Sequence, residues 1–342
     1  MCKLKSAIIL KDRVFISDHD SHSKMLEELG ITDDYINASK VFVRAELVPE
    51  NEDVFSDIDG WKLCVDQDIT PEWFDEKDCA ERMRKAVKEW AKTHIFIGQN
   101  DLKISHGENI FIKDCKNVDI YGKAMVKYIC GNTTVENISD NAKVKYIYGK
   151  ATVENIYGNA TVEYICGNTT VGSICDNATV ERIYYNATVG SICDNATVER
   201  IYDNATVEST YGNATIERIY GKATVERIYD NATVESIYGN TTVGSICDNA
   251  TVERIYDNAT VESTHGNATV GSICDNATVE RIYGNATIER ICDNATVISS
   301  PYTKWNNSTS MVIDDNATFK DCYSKTIYQA GGWEFVKVTR GK

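Results

Sequence analysis

From about Gly122 to Val297 the apolar positions of this chain recur every nine residues. Asp194 to Tyr202 reads DNATVERIY, Asp230 to Tyr238 reads DNATVESIY, and Gly284 to Cys292 reads GNATIERIC. Roughly twenty such copies follow one another, the signature of a repeat architecture. Within a copy the apolar residues are the third, fifth and eighth, as in Ala196, Val198 and Ile201 or in Ala223, Val225 and Ile228. The step of two is strand periodicity. The step of three breaks the alternation and implies a corner. Asp-Asn and Gly-Asn are turn residues that tolerate positive φ. The pattern therefore predicts a short strand, a corner, a second short strand and a turn. A helix is excluded, because the 3.6-residue period is missing and every unit carries β-branched residues beside a Gly/Asn breaker.

Nine residues cannot enclose a core alone, but stacked units can, at about 4.8 Å per coil. The expected fold is mainly β: a β-solenoid stabilised by neighbour contacts, with two units, 18 residues, per coil. Ten such coils make a rod roughly 45–50 Å long. Spacing alone leaves the coil length open. The GSIC variant recurs at Gly172 and Gly190, 18 apart, and also at Gly244 and Gly271, 27 apart.

Substitutions sort inside from outside. The third position takes Ala or Thr (Thr133, Thr169, Thr241), as a cramped site would, and the fifth stays Val or Ile through the regular copies. The ninth exchanges Tyr184, Cys193, Tyr202, Cys247 and His265. A packed interior would not tolerate that change of volume. The ninth position is therefore expected at the rim, with Tyr rings stacked along the rod. The Thr and Glu of each unit should face solvent. Neighbouring arginines (Arg182, Arg200, Arg218, Arg254, Arg281) should partly neutralise the Glu column.

The flanks are different. Residues 6–16 read as a strand or a hairpin around Lys11–Asp12. A short helix follows, capped by Asp20 or Ser21 and stopped by Gly30. Residues 40–48 alternate as a strand, and WKLCVDQD from Trp61 is another. Thr70-Pro71 marks a helix start, with a break near Asp75–Asp78 before the run through His94. Met83, Val87, Trp90 and Ala91 share its apolar face. That order resembles a split βαβ, ferredoxin-like arrangement. The division expected is a head domain at 1–98, a solenoid cap at 99–121, the repeats at 122–300 and a second cap at 301–342. In the last segment Pro301 and Trp305 interrupt the repeat. Worn copies follow at Asn307–Asp315 and Asn316–Ser324, and WEFVKV is a closing strand.

The chain has 342 residues, 42% hydrophobic and 25% charged, with a formal net charge of -15. That balance argues against a protein that binds nucleic acid through a basic face. Of twelve cysteines, seven (Cys130, Cys166, Cys175, Cys193, Cys247, Cys274, Cys292) sit where other copies hold Tyr, so obligatory bridges or ligands are not expected of them. There is no CxxC pair, and many thiols suit a reducing compartment. The N-terminal residues lack an export signal and no apolar run is long enough to span a membrane, so a cytoplasmic setting is expected. The Asn-Ala-Thr triplets, although glycosylation sequons in form, then read as turn chemistry.

Parts of this pattern overlap with known chemistries. Outward Thr arrays on β-solenoids can bind ice, but that needs paired Thr rows and each unit here supplies one. Calcium β-rolls need more Gly and Asp per turn. Polysaccharide-cleaving β-helices need an irregular carboxylate patch, whereas this array is uniform. Acidic β-helices can imitate DNA, and Asp and Glu columns would suit that, but the Arg at the seventh position dilutes the field. In the head, Asp18, His19, Asp20 and His22 offer metal-ligand chemistry but read more simply as a polar helix cap. Asp66 and Asp68 should share one face of a strand. No P-loop, nucleophile elbow or HExxH motif occurs.

SHSKMLEELGI (21–31), FVRAEL (42–47), WKLCVDQDITPEWF (61–74) and RMRKAVKEWAKTHI (82–95) together resemble a domain of uncharacterised proteins from bacteriophages and gut Firmicutes, over roughly the first 115 residues. In those proteins degenerate nonapeptide repeats follow the domain. The resemblance carries over no catalytic residue. It implies a phage or prophage setting in a bacterial cytoplasm.

The sequence therefore reads as a non-enzymatic interaction or scaffold protein, with no cofactor and no metal, that engages a protein partner. Its expected contact surface includes Glu181, Glu199, Glu217, Glu226, Tyr202, Tyr220 and Tyr229. An acidic inhibitor of a host nucleic-acid enzyme is the alternative. A third reading, an enzyme centred on His19, His22, Asp66 and Asp68, requires those four to converge in one pocket.

Overall fold

The computed structural model describes residues 5–301, 311–331 and 334–339. It is a parallel β-solenoid with a small α+β head. Each nonapeptide contributes one five-residue strand, such as Thr179–Ile183, Thr188–Ile192 and Thr197–Ile201. Alternate strands belong to opposite sheets, one of 13 and one of 15 strands. A coil is therefore two repeats. Thr179 pairs with Thr197, Val180 with Val198, Arg182 with Arg200 and Ile183 with Ile201, each 18 residues on. The 27-residue alternative is excluded by this register. Thirteen strands at the usual spacing make a rod of about 55–60 Å, longer than the repeat count implied, because degenerate flanking segments also join the sheets.

The strand runs unbroken through the expected corner, which corrects the reading of two short strands per unit; only the ladder between coils steps over the Glu position there. That step lets Val198 and Ile201, three residues apart, both point inward. Ala196, Val198 and Ile201 are fully buried, as are their equivalents along the rod, in one continuous core. Where Thr replaces Ala, its hydroxyl donates to a carbonyl three residues back: Thr169 Oγ1 to Cys166 O at 2.6 Å and Thr133 Oγ1 to Cys130 O at 2.6 Å. The third position thus accepts a hydroxyl because the turn offers it a partner.

The turn itself runs from the ninth position through the third, with Ala196 N donating to Cys193 O at 3.0 Å. Its first central residue has positive φ in every repeat, 56° at Asp194 and 69° at Gly212. Such a backbone favours Gly and tolerates Asp, which explains why these two fill the position in every copy but that of Tyr185. Asp does more than tolerate it. The Asp230 carboxylate accepts from Gly212 N at 3.3 Å, and Asp293 from Asp275 N at 3.2 Å, one coil earlier. The following Asn residues form side-chain ladders, with Asn213 donating to Asn195 at 3.3 Å and Asn267 to Asn249 at 3.3 Å.

In the head, β1 (Lys5–Leu10), β2 (Val14–Phe15), β3 (Phe42–Val48) and β4 (Lys62–Val65) form an antiparallel sheet in the order β2-β1-β3-β4. Helices α1 (His22–Glu28) and α2 (Tyr35–Ala38) pack on one face. On the other face lies α3 (Glu76–His94), with Met83, Val87 and Trp90 buried. This corrects the ferredoxin-like expectation. A split βαβ needs parallel crossovers, whereas β1 pairs antiparallel with β3, and the strand after α3, β5 (Ile95–Ile97), leaves the head to open the 13-stranded sheet of the rod. The helix start also moves: Asp75, and not Thr70, is the N-cap, its side chain accepting from Asp78 N at 2.8 Å. Ser21 caps α1, and Gly30 follows it at a φ of 66°.

Head and rod are tied together. Phe111 and Tyr128 of the first coils pack into the head core. His94 Nε2 lies 3.1 Å from Asp18, and Lys127 lies 3.3 Å from Asp20. At the far end Thr326–Gly331 and Glu334–Thr339 form an antiparallel hairpin on the 15-stranded sheet. The closing-strand expectation is met over Glu334–Val338, and the worn copies supply Val312–Ile313 and Thr318–Asp321. Trp305, Asn307–Ser310 and Trp333 lie outside the described residues.

Two copies break the core rule. Thr210 stands between Ile192 and Ile228, and Thr264 between Ile246 and Ile282. Both hydroxyls are buried without a hydrogen-bond partner. Leaving such a group unsatisfied costs about 1–3 kcal/mol. Thr210→Ile and Thr264→Ile should each raise unfolding free energy by about that amount, read as a higher urea midpoint. Ile201→Ala should lower it by roughly 2–5 kcal/mol. A Thr210→Ile protein no more stable than the parent would contradict this core.

Candidate functional site

In-register stacking turns each repeat position into a column along the rod. One of them is aromatic. Tyr184, Tyr202, Tyr220, Tyr238 and Tyr256 stack face to face on one edge, with centroids 4.9–5.1 Å apart and planes within 7° of parallel. Towards the head the series passes to a neighbouring column: Tyr164 meets Tyr184 at 6.4 Å, Tyr146 stacks on Tyr164 at 4.6 Å, and Tyr128 touches Tyr146. Tyr128 then meets Phe111, and Phe111 meets Trp90 of α3. One aromatic ridge thus joins the head core to the middle of the rod. Arg182 lies over the Tyr164 ring at 4.8 Å and donates to its hydroxyl, where the ridge changes column.

The expected contact residues divide between two sides. Glu181, Glu199 and Glu217 form one column of the 13-stranded sheet, on Thr179–Ile183, Thr197–Ile201 and Thr215–Ile219. Tyr202 and Tyr220 follow those same strands, so five of the seven residues share a surface. Glu226 lies on Thr224–Ile228 of the 15-stranded sheet. Tyr229 follows it on the opposite edge, stacked on Tyr211 at 5.1 Å. Repeat position alone could not separate them, because consecutive units face opposite ways. Tyr128, Tyr146 and Tyr164 were missed. They occupy the seventh position, and a scan for Tyr at spacing 18 would have found them.

The rings are half-buried, as a rim position requires. Burial, and then the neighbouring tyrosine, pushes the pKa of Tyr202, Tyr220 and Tyr256 above the ordinary phenol value. The same column carries cysteines. Cys274 and Cys292 are bonded, as are Cys175 and Cys193 on the other edge, each pair 18 residues apart with Cα atoms at 4.6–4.7 Å. This corrects the expectation of unpaired thiols for those four. Equivalent positions of adjacent coils lie within bridging distance wherever both are Cys. Cys130, Cys166 and Cys247 remain thiols.

The four head residues of the enzyme reading do not converge. His19 pairs with Glu28 at 2.7 Å. Asp68 lines a shallow cleft of about 330 Å³ with Asp33, Arg44 and Gln67. Only His22 and Asp66 meet, at 3.3 Å. Asp66 and Asp68 also lie beyond the end of β4 and not on it, because the strand stops at Val65. The Asp18–His22 segment is a junction: Asp18 on His94, Asp20 on Lys5 at 3.0 Å, and Ser21 on the start of α1. Among the described residues no helix is long and apolar enough to cross a membrane. Comparisons with family models, curated proteins and solved structures gave no match.

A raised phenol value in the folded state means that the unfolded chain ionises first. Stability from the ridge is then fully present below about pH 10 and is lost as pH rises through the folded-state values. Unfolding midpoints should therefore be flat through neutral pH and fall above about pH 10. Tyrosinate absorbance of the native protein should rise later than that of the unfolded chain. Coincident titrations would show that these rings are not buried in the stack.

Proposed function

We propose that this is a non-enzymatic interaction or scaffold protein, whose rod offers one protein partner a long, regularly repeated surface. The observation that carries the reading is the aromatic ridge on an otherwise uniform array, flanked by the Arg182, Arg200 and Arg218 column and by the Glu181, Glu199 and Glu217 column. Tyr and Arg are the residues that most often dominate protein interfaces. A stacked Tyr also loses little side-chain freedom on binding, because its neighbours already hold the ring. Repetition multiplies weak contacts, since each engaged coil raises the effective concentration at the next.

The setting we propose is the cytoplasm of a bacterial or phage-infected cell, in keeping with the resemblance of the head. In that compartment the paired cysteines would stand as thiols in contact between coils. An acidic DNA mimic is less favoured. The turn Asp carboxylates of several coils are engaged with backbone N–H groups, as at Asp230 and Asp257, and the Glu column runs beside Arg.

The test is capture by the full-length chain in lysate of the presumed host, against a variant carrying Tyr202→Ala, Tyr220→Ala and Tyr238→Ala. The expected result is a partner whose affinity falls more than tenfold in the triple variant and little in Tyr211→Ala with Tyr229→Ala on the other edge. Equal loss from both edges, or a partner competed away by duplex DNA at low salt, would reject the reading.

A further inference from the structure

We propose that the head carries a first-row divalent cation site formed by His22, Glu46 and Asp66. The three come from separate elements: His22 opens α1, Glu46 lies in β3, and Asp66 follows β4. One ligand atom from each lies within 4.8 Å of the other two. In a tetrahedral sphere with bonds of about 2.1 Å, ligand atoms sit about 3.4 Å apart. His22 Nδ1 and Asp66 Oδ2 already stand at that separation, 3.3 Å.

The imidazole supplies the second, independent observation. His22 is 7% exposed, and its Nε2 lies 3.1 Å from the Ala45 carbonyl oxygen. A carbonyl accepts only, so Nε2 carries the proton. In the neutral ring Nδ1 then presents a lone pair, and it points at Asp66 Oδ2, 3.3 Å away. Two acceptors facing each other at this distance need a proton or a cation between them. A ring nitrogen fixed by the other nitrogen's bond to a backbone carbonyl is also how metal-bound histidines are oriented.

The two carboxylates are held with similar care. Asp66 N donates to Arg44 O at 2.8 Å, prolonging the sheet by one residue. The next side chain, Gln67, accepts from Arg44 N and donates to the carbonyls of Ala38, Phe42 and Ile69, which fixes the loop. Glu46 is buried on the face of β3 that α1 covers. Asp66, with its side chain 66% exposed, leaves the remaining corner of the sphere open to water. One imidazole and two carboxylates with an open position is a donor set that zinc accepts.

The alternative is an imidazolium clamped between carbonyl and carboxylates without metal, and the two are separable. The full-length protein is titrated with Zn2+ against a competing chelator, and with Co2+ as a spectroscopic probe. The expected result is a saturable Co2+ d–d band without thiolate charge transfer. It should be kept in Cys64→Ser, whose thiol pairs across from Glu46 in the sheet. Zn2+ affinity should fall by at least the roughly 10–100-fold that loss of a supporting hydrogen bond costs such sites, in both Asp66→Asn and His22→Ala. Asp66→Asn alters an exposed side chain, so its fold should survive, as checked by circular dichroism. No saturable Co2+ band, or equal affinity in Asp66→Asn and the parent, would overturn the site in favour of the imidazolium. A band abolished in Cys64→Ser, or carrying thiolate charge transfer, would overturn it in favour of cysteine ligation.

Discussion

Every residue of the rod meets its own counterpart one coil away. The 18-residue register imposes this: Val on Val, Ile on Ile, Thr on Thr from Thr134 to Thr296. Like-on-like contact rewards some side chains and penalises others. Buried Val and Ile gain about 1.5–3 kcal/mol each from leaving water. A pair of like charges about 4.8 Å apart in water loses about 0.9 kcal/mol, less in salt. The apolar columns therefore dominate, and a chain can carry a Glu column provided that three inward positions in every nine stay apolar. The turns are solved by the same rule, since an amide both donates and accepts and so can stack on itself. Asn ladders run for several coils on both edges and are interrupted where Lys150 and Lys222 replace Asn.

A stack of this kind is stable in its middle and vulnerable at its ends, where strands would expose unpaired backbone. The head resolves the first end without a break in the chain: α3 passes directly into β5, and Phe111 and Tyr128 belong to the head core as much as to the rod. Lys5 shows how tightly the junction is built. Its ammonium is buried against Ser17 O at 2.6 Å and Asp20 at 3.0 Å and lies 4.6 Å from the Trp90 ring. Burial lowers its pKa, and the Asp20 charge works against that shift. At the other end the direction of pairing changes to antiparallel, which lets a hairpin replace another coil.

The rod was legible from spacing alone because the same nine residues are written many times. Ala196, Val198 and Ile201 declare the inside by never becoming polar together, and Asp194-Asn195 declares the turn. Coil length was less legible, since Gly244 and Gly271 are spaced by 27 and only backbone pairing decides. The head is written once, so its sequence has no internal check. Alternation in residues 40–48 marked a strand, but not that α1 would cover and bury the face that carries Glu46. The Asp18–His22 cluster suggested one polar site, but its side chains diverge to His94, Glu28, Lys5 and Ala45 O. Such partners lie up to 76 residues apart in sequence, a separation no local pattern records.

The ninth position shows what a column demands that a single repeat does not. Free exchange of Tyr and Cys reads, one unit at a time, as indifference. Along the rod it is a matter of neighbours. Tyr beside Tyr stacks, Cys274 beside Cys292 can bond, and Cys166 below Tyr184 hydrogen-bonds to its hydroxyl. Each of these combinations satisfies a polar or aromatic group at a half-buried rim, so the position accepts either residue. A long run of one kind, as from Tyr184 to Tyr256, is therefore more than tolerance requires. It makes a continuous, rigid surface out of a position that could have alternated, and it does so on the edge where the Arg and Glu columns also run.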